Sequence, residues 1–214
     1  MQYSAEWFEA RKDKITASNI AGCLGLSRHT SRAAAYFNAV GIPSAPNEAC
    51  NHGLRHEGAA IEAYKTATGY QVSEAKYVVH ADITYIGASP DGFVGNDGLV
   101  EVTCPWFALE GETPIPATKV PISAYLQMIF QLECTGRSWC DYVSWTETNG
   151  MSIFRVYPDA DLFNWLTEKE PIIEELYDAI HNKRGGFAKF KPGKSKKMKE
   201  KIAVSMAANI DFWS

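Results

Sequence analysis

The stretch GASPDGFVGNDGLVEVTCPW, residues 87–106, constrains the fold more than any other part of the chain. Its apolar runs flank the turn sequence Asn96-Asp97-Gly98, which predicts a β-hairpin. Glu101 stands inside the apolar second strand, where an unpaired buried carboxylate would be costly. The hairpin can fold Asp91 back beside Glu101, so the stretch predicts two hard oxygen ligands on adjoining strands.

The same residues have an ordinary structural interpretation, which the sequence leaves open. Ser89-Pro90-Asp91-Gly92 is a common turn sequence, because proline fixes φ and glycine tolerates positive φ. Taken alone, Asp91 is more typical of a turn residue than of a metal ligand. Glu101 is harder to explain in this way, because a carboxylate inside an apolar strand needs a partner.

The periodicity of the apolar residues changes at Gly69 and predicts an α/β fold with helices flanking a central mixed sheet. The clearest helix ends at Gly69, and strands follow it as far as about residue 157. We expect residues 1–214 to form one domain. The predicted helices cover residues 4–12, 20–24, 31–40, 53–69, 123–136 and 161–184, and the predicted strands cover residues 70–80, 83–89, 99–105, 139–147 and 152–158.

Composition argues against several other classes of protein. Of the 214 residues, 46% are apolar and 21% are charged, as in soluble globular proteins. No apolar run reaches the roughly 18 residues that a membrane-spanning helix needs, so we expect no membrane association. The amphipathic start carries acidic residues, unlike a signal peptide. The five cysteines include no CxxC pair, which indicates free thiols in a reducing cytoplasm.

Charge is distributed unevenly along the chain. The net charge is −4, yet residues 183–201 contain nine basic residues and one acidic residue, Glu200. This basic arm is typical either of a solvated tail or of a segment that binds nucleic-acid phosphates. The apolar segment that follows, residues 202–214, is expected to dock on the chain's own core or on a neighbouring subunit.

A third acidic residue, Glu57, lies in the helix predicted at residues 53–69. It is one turn from Ile61 and two turns from Tyr64, so it points with the apolar face of the helix. A glutamate near a helix start often serves only to complement the helix dipole. Together with Asp91 and Glu101, however, it makes a set of three carboxylates, which is typical of metal-assisted phosphodiester hydrolysis.

The spacing of the acidic motif resembles that in the core of the PD-(D/E)xK nucleases. The flanking sequence narrows the resemblance to the lambda exonuclease and YqaJ-type viral recombinase family. The resemblance implies a restriction-endonuclease-like core. Four blocks match in the family's order, and they span most of residues 6–145. The blocks are residues 6–27, 52–64, 87–106 and 124–145.

The resemblance implies a metal centre. Asp91 and Glu101 would hold a catalytic Mg²⁺, or Mn²⁺ in its place, with the backbone carbonyl of Val102 as a further ligand. Glu57 would serve the site from its helix, directly or through a second ion or water. Gln127 matches a glutamine that lines the same site in the family.

The resemblance also implies a pocket for a 5′-phosphate, formed by Arg11, Ser18 and Ser89. The residues themselves suit this role. Thr16 or Ser18 is predicted to cap the second helix. With Ser18 at this helix start, the free N–H groups attract an anion, and Arg11 can contact two phosphate oxygens at once. Outside the family context, Ser18 would be interpreted as a helix cap and Arg11 as a surface charge.

Thr103 departs from the family pattern, because members carry a lysine two residues after the glutamate. A lysine there orients the attacking water or stabilises charge on the phosphorane, and threonine does neither well. Three explanations remain open. The residue has been changed deliberately, a lysine from elsewhere (Lys76 or Lys119) substitutes for it, or the chain binds DNA ends without cleaving them.

The function implied by the resemblance is a Mg²⁺-dependent 5′→3′ exonuclease on double-stranded DNA, encoded by a phage or its bacterial host. It would start at 5′-phosphorylated ends and leave a 3′ single strand for a phage annealing protein. Family members form a ring-shaped homotrimer around the DNA. The alternatives are an end-binding protein without turnover and an endonuclease built on the same core.

Overall fold

The structure, a computed structural model, describes residues 4–42, 47–106, 113–169, 177–178 and 195–213. Its helices are α1 (Ala5–Arg11), α2 (Ile20–Cys23), α3 (Arg32–Ala39), α4 (Glu48–Thr68), α5 (Ile122–Thr135), α6 (Ala160–Asn164) and α7 (Ser195–Asn209), with a 3₁₀ turn at Ala17–Asn19 and a π-helical turn at Trp165–Lys169. Its strands are β1 (Ile15–Thr16), β2 (Val72–Ser73), β3 (Val78–Val79), β4 (Ile86–Ala88), β5 (Gly92–Val94), β6 (Gly98–Thr103), β7 (Trp139–Thr146), β8 (Gly150–Val156) and β9 (Ile210–Trp213).

A six-stranded mixed sheet with the order β2-β5-β6-β7-β8-β9 forms the centre of the fold. Strands β6 and β7 are parallel, and all other neighbours in this sheet are antiparallel. A second sheet has the order β1-β4-β3. The predicted α/β fold with a central mixed sheet is confirmed.

The predicted hairpin joins β5 to β6. Val94 pairs with Gly98, and Gly95 adopts a φ of +52° in the turn between the strands. Leu99 and Val100 are both fully buried, so β6 is covered on its two faces. This explains why the strand is apolar at consecutive positions rather than at alternate ones.

Helices α4 and α5 cover opposite faces of the sheet. Leu99 of β6 packs into the core that includes most of the apolar residues of α5, whereas Val100 packs with Tyr64 of α4. Residues at successive positions of a strand point to opposite faces, so Glu101 lies on the α5 side. The carboxylate is therefore directed at a helix and not at solvent.

Helix α4 begins earlier than the sequence predicts. The side chain of Asn47 accepts a hydrogen bond from the N–H of Cys50 at 2.9 Å, and this cap starts the helix at Glu48 rather than at residue 53. The C-terminal end agrees with the prediction, since Gly69 adopts a φ of +74° there. The extra turns place additional side chains of α4 beside the cleft described below.

The C-terminal residues dock on the chain's own sheet. Strand β9 pairs with β8 in antiparallel fashion, from Ile153 opposite Trp213 to Val156 opposite Ile210. Helix α7 is fixed by a polar network in which Ser205 donates to Asp159. Residues 195–201 of the predicted basic arm are the first turns of α7, and residues 183–194 lie outside the described residues.

The predicted helix at residues 161–184 is described at residues 161–169 and 177–178. Its first part forms α6 and the π-helical turn, and Pro171 lies outside the described residues. No helix within the described part of the chain is long and apolar enough to cross a membrane.

Candidate active site

A single cleft of about 1070 Å³ collects most of the residues that the sequence singles out. It lies where α1, the 3₁₀ turn, the loop after β4, strand β6 and helices α4 and α5 meet. Eight of the nine predicted site residues line it: Arg11, Ser18, Glu57, Ser89, Asp91, Glu101, Val102 and Gln127. Thr103 is not among the lining residues.

The three residues predicted to grip a phosphate are in contact. Arg11, the last residue of α1, donates from Nη2 to the hydroxyl of Ser18 at 3.0 Å. From Nη1 it donates to the hydroxyl of Ser89 at 3.3 Å. The guanidinium and the two hydroxyls therefore form one donor-rich pocket in the cleft wall.

Ser18 occupies a different position from the one that the sequence predicts. It lies inside the 3₁₀ turn Ala17–Asn19 and does not cap a helix, and the helix that follows is only four residues long. The position before the 3₁₀ turn belongs to Thr16, whose side chain makes no capping bond. The prediction of a helix N-terminus at Ser18 is wrong, and its place in the pocket depends on its contact with Arg11.

Two further residues build the donor pocket around Arg11, and sequence reasoning missed both. The indole of Trp7 donates from Nε1 to the hydroxyl of Ser89 at 2.9 Å, and its ring lies 4.0 Å from Arg11 Cζ. Thr16 accepts from Arg11 Nη2 at 3.4 Å. The spacing of Trp7 and Arg11, four residues apart on a helix, was the available signal for their contact.

A third missed residue, Tyr77, lies beneath the pocket. Its ring centroid is 5.9 Å from the guanidinium carbon of Arg11. Its hydroxyl is buried without a hydrogen-bond partner among the described residues, and it packs so closely on Gly87 that a Cβ there would lie 2.1 Å from the oxygen. Glycine at position 87 is therefore required by this close approach.

Asp91 lies in the loop between β4 and β5 and is held against the neighbouring strand. Its Oδ2 accepts a hydrogen bond from the N–H of Val102 at 2.7 Å. Desolvation raises the pKa of Asp91 well above its usual value, the charges of Glu101 and Glu57 raise it further, and the bond from Val102 opposes them. A cation at this position would favour the ionised form.

Glu101 is only 8% exposed and is held by two glutamine side chains of α5. Gln127 donates to Oε1 at 2.6 Å, and Gln131 donates to Oε2 at 2.7 Å. Desolvation raises the pKa of Glu101 to about 7 even though both amides stabilise its charged form, and the charge of Glu57 contributes to the rise. This clamp explains how a carboxylate is tolerated inside an apolar strand.

Gln131 is the more informative of the two clamp residues, because the sequence prediction included only Gln127. It is fully buried, and its own oxygen lies 3.9 Å from the sulfur of Cys140. Its position four residues after Gln127 puts both amides on one face of α5. That spacing was the signal in the sequence.

Glu57 lies at the cleft but does not complete a set of three side-chain ligands. Within the described residues, no three histidine, cysteine, aspartate or glutamate side chains come together as a metal site. Glu57 is half-buried, and this burial raises its pKa. The three-carboxylate arrangement suggested by the sequence is therefore not assembled by direct contact, and Glu57 acts on the other two acids through its charge.

The remaining donors suit a Mg²⁺ ion with few protein ligands. Asp91 and Glu101 are hard oxygen donors, and the charge of Glu101 raises the pKa of Asp91. Val102 lines the cleft with them and can offer a backbone carbonyl. Mg²⁺ is usually held by one or two carboxylates and completes its shell with waters and substrate phosphates. The donor chemistry of this pair fits that pattern without Glu57 as a direct ligand.

Thr103 is exposed at the end of β6, where it pairs with Ser144 of β7. It shares the strand face of Glu101. The two candidate replacement lysines, Lys76 and Lys119, are exposed and do not line the cleft. The lysines that line the cleft among the described residues are Lys12 and Lys14.

Comparison with known proteins assigns the chain to a family. A family model described as the YqaJ-like viral recombinase domain matches residues 6–138. The chain belongs to the YqaJ-like viral recombinase family. This confirms the resemblance found in the sequence. No curated protein gives a significant match to the chain.

Solved structures extend the comparison to most of the chain. LHK-Exo, an alkaline exonuclease from Laribacter hongkongensis, is 30% identical and superposes with a TM-score of 0.66 over 88% of this chain and 100% of that one. Its complex with dAMP gives a TM-score of 0.67. A phage-related exonuclease from Haemophilus somnus 129PT, 13% identical, gives 0.55 over 79% of this chain and 96% of that one, which shows the fold alone.

Proposed function

We propose that this chain is a Mg²⁺-dependent deoxyribonuclease that degrades double-stranded DNA from 5′-phosphorylated ends in the 5′→3′ direction. One observation carries the proposal: the donor pocket around Arg11 and the acids Asp91 and Glu101 line the same cleft. Ser89 and Asp91 are two residues apart in one loop, so the proposed phosphate pocket and the acidic centre are joined by a short stretch of backbone. The alkaline exonuclease LHK-Exo, with 30% identity, supports an exonuclease activity.

The phosphate pocket would bind and orient the DNA end. Arg11 supplies a planar fork of N–H donors, which suits two phosphate oxygens, and the hydroxyls of Ser18 and Ser89 supply further donors. Trp7 stacks on the guanidinium and bonds to Ser89, so the pocket is arranged before substrate arrives. Holding the terminal phosphate fixes which phosphodiester lies at the acids.

Asp91, Glu101 and the carbonyl of Val102 would hold the metal ion. When bound, Mg²⁺ supplies charge stabilisation at the phosphate and lowers the pKa of a coordinated water. The chain's own part is to present two ionised carboxylates in fixed orientations. Val102 fixes Asp91 through its N–H, and the two glutamines fix Glu101.

Family membership is the basis on which we propose a wider biological role in DNA recombination. Digestion of one strand would leave a 3′ single strand, which a phage annealing protein could pair with a complementary sequence. We further propose the ring-shaped homotrimer, because a subunit that encloses DNA with its copies would remain on one molecule through many cycles.

Digestion of linear duplexes tests the proposal directly. With Mg²⁺ present, the chain should degrade a 5′-phosphorylated linear duplex faster than a 5′-hydroxyl one and leave closed circular DNA intact. Arg11→Ala should remove at least tenfold of the preference for phosphate, because hydrogen bonds to charged groups contribute about 1.5–3 kcal/mol. Lys65→Ala, which removes a cation at the far end of α4, is the matched control. Cutting of closed circles with no preference for phosphate would favour the endonuclease alternative.

Thr103 favours a second candidate function, a DNA-end-binding protein that does not cleave. Neither Lys76 nor Lys119 lines the cleft, which argues against either of them replacing the family lysine. In that case the chain should bind 5′-phosphorylated ends without degrading them, and Thr103→Lys should restore digestion. A wild-type chain that digests rapidly, and gains nothing from Thr103→Lys, would rule this candidate out.

A further inference from the structure

Four aromatic rings form a continuous row beside the cleft, and the proposed chemistry does not use them. His52 and His56 of α4 have ring centroids 4.0 Å apart. Trp106, just after β6, lies 4.9 Å from His52, and Trp145 of β7 lies 6.3 Å from His56. We call these four residues the aromatic shelf.

The shelf is fixed at one end and open at the other. Trp145 is partly buried against the core between the sheet and α4, and the ring of His56 is held by a 2.9 Å contact between its Nδ1 and the carbonyl of His52. Trp106 is 43% exposed. The indole of Trp106 therefore presents a flat apolar face to solvent while packing against the ring of His52.

The shelf adjoins the cleft along α4. Gly53 and Glu57 line the cleft, and each directly follows a histidine of the shelf in the sequence. Successive residues of an α-helix are 100° apart around its axis, so the two sets occupy neighbouring faces. A strand that leaves the cleft across α4 would meet the shelf first.

The charges around the shelf suit a polyanion that carries aromatic groups. Arg55, on the same helix face, is largely exposed, and its Nη2 lies 4.0 Å from a carboxylate oxygen of Glu48. Burial lowers the pKa of His52, and the nearby His56 and Arg55 lower it further, which favours the uncharged form of its ring. The shelf thus offers aromatic ring faces with a guanidinium beside them.

We propose that the aromatic shelf is a stacking surface for the unpaired bases of single-stranded DNA, namely the strand that digestion leaves beside the cleft. Aromatic side chains next to basic groups bind single strands in this way, because every base has a face on which a ring can stack. Bases inside a duplex are already stacked on one another, so the shelf would select the unpaired strand. This inference rests on the proposed function, since that function generates the unpaired strand.

Binding of two matched oligonucleotides tests the shelf without requiring cleavage. One is a 5′-hydroxyl oligothymidine, and the other is an abasic oligonucleotide of the same length and charge. Fluorescence anisotropy in EDTA measures both affinities, so neither the metal nor the terminal phosphate contributes. The wild-type chain should prefer oligothymidine, and Trp106→Ala should reduce that preference on the order of tenfold, the effect of losing one base–aromatic stack.

Variants with intermediate and unrelated changes complete the test. Trp106→Phe keeps a stacking face and should retain most of the preference, whereas His52→Ala should reduce it. Phe212→Ala removes another exposed aromatic side chain, 63% exposed on the distant strand β9, and should have no effect. Affinity for the abasic strand should stay the same in all variants.

The possible outcomes separate the shelf from the proposed function. An unchanged base preference in Trp106→Ala and His52→Ala overturns the shelf, as does an equal loss in Phe212→Ala. A change of oligomeric state without a change of base preference assigns the surface to a second copy of the chain instead. Failure of Arg11→Ala to alter digestion of phosphorylated duplexes counts against the proposed function and leaves the base-preference result unaffected.

Discussion

The side-chain amide of Gln131 donates to Oε2 of Glu101 at 2.7 Å, from a position where Gln131 has no exposure to solvent. A fully buried amide is thus used to orient one buried carboxylate. Its partner Gln127 holds the other oxygen of the same group. The two amides together fix the direction in which Glu101 presents its charge to the cleft.

Replacing Gln131 with leucine should weaken Mg²⁺ binding, and the loss should be greatest near neutral pH. The variant loses a hydrogen bond that favours the charged form, so the pKa of Glu101 should rise from about 7. Hydrogen bonds to charged groups contribute about 1.5–3 kcal/mol, which predicts a rise of roughly 1–2 units. Titration calorimetry with Mg²⁺ at pH 7 and pH 9 measures the effect.

The pH dependence distinguishes this role from simple packing. At pH 9 a much larger fraction of the variant's carboxylate is ionised than at pH 7, so the deficit of Gln131→Leu should shrink. Gln71→Leu, the same change at an exposed glutamine just before β2, is a suitable control. A deficit that stays constant between the two pH values would show that Gln131 serves only to fill space.

Burial of Glu101 should destabilise the metal-free protein as pH rises. The pKa of Glu101 is raised to about 7, above its ordinary value of 4.5, so the folded chain holds this proton more tightly than the unfolded chain. Stability from this group is complete below pH 4.5 and is lost as pH rises to about 7. The loss is on the order of 3 kcal/mol, at about 1.4 kcal/mol for each unit.

Glu101→Gln removes this titration and should flatten the dependence. Urea denaturation in EDTA at pH 5 and pH 8 measures the difference in the free energy of unfolding for each protein. Glu147→Gln, an exposed position in the turn between β7 and β8, should behave like the wild type. Equal pH dependence for Glu101→Gln and the wild type would contradict the assignment.

Trp7→Phe should weaken recognition of the 5′-phosphate while preserving the stack on Arg11. The change removes the 2.9 Å bond from the indole to Ser89 and leaves an aromatic face beside the guanidinium. A neutral hydrogen bond contributes about 1 kcal/mol, so the preference for phosphorylated over unphosphorylated ends should fall about fivefold. Anisotropy with the two duplexes in EDTA gives this ratio.

A second substitution separates the two contributions of Trp7. Trp7→Ala also removes the stack and should lower the ratio further. Phe37→Ala, an exposed aromatic residue of α3 that does not line the cleft, should leave it unchanged. Equal ratios in wild type and Trp7→Ala would exclude Trp7 from the pocket.

Arg155→Leu should destabilise the fold by about 3–5 kcal/mol, because it leaves a buried carboxylate without its cation. Asp141 is fully buried, and Arg155 donates to its two oxygens at 2.8 and 2.9 Å. Tyr64 of α4 donates to the same carboxylate at 2.7 Å. Lys65→Ala, which breaks an exposed pair with Glu62, should cost less than about 1 kcal/mol. Urea denaturation of both variants measures the contrast.

The parts of this structure that sequence reasoning predicted are those decided by local chemistry. The turn before Gly98 and the apolar run after it specify a hairpin whichever tertiary contacts follow. Arg11, Ser18 and Ser89 are in contact although Ser89 is far from the other two in sequence. Their grouping was predicted from the family resemblance and not from local sequence. The hypothesis of a helix N-terminus at Ser18 failed, since a single residue type does not distinguish a cap from a short turn.

The residues that were missed owe their roles to tertiary contacts. Gln131 and Trp7 look like ordinary core residues until α5 meets β6 and α1 meets the loop after β4. Glu57 was predicted to join the other acids because its helix face was apolar, but periodicity fixes a direction and not a distance. The aromatic shelf could not be predicted either, because it joins rings from α4, β7 and the segment after β6.

Strand β9 is the outermost strand of the central sheet on its side, and it consists of Ile210–Trp213. A chain without these four residues would expose the seven-residue strand β8 as the edge of the sheet, in place of the shorter β9. A longer row of unpaired amide and carbonyl groups favours edge-to-edge association between molecules. Removing or masking residues 210–213 during protein engineering would therefore promote aggregation.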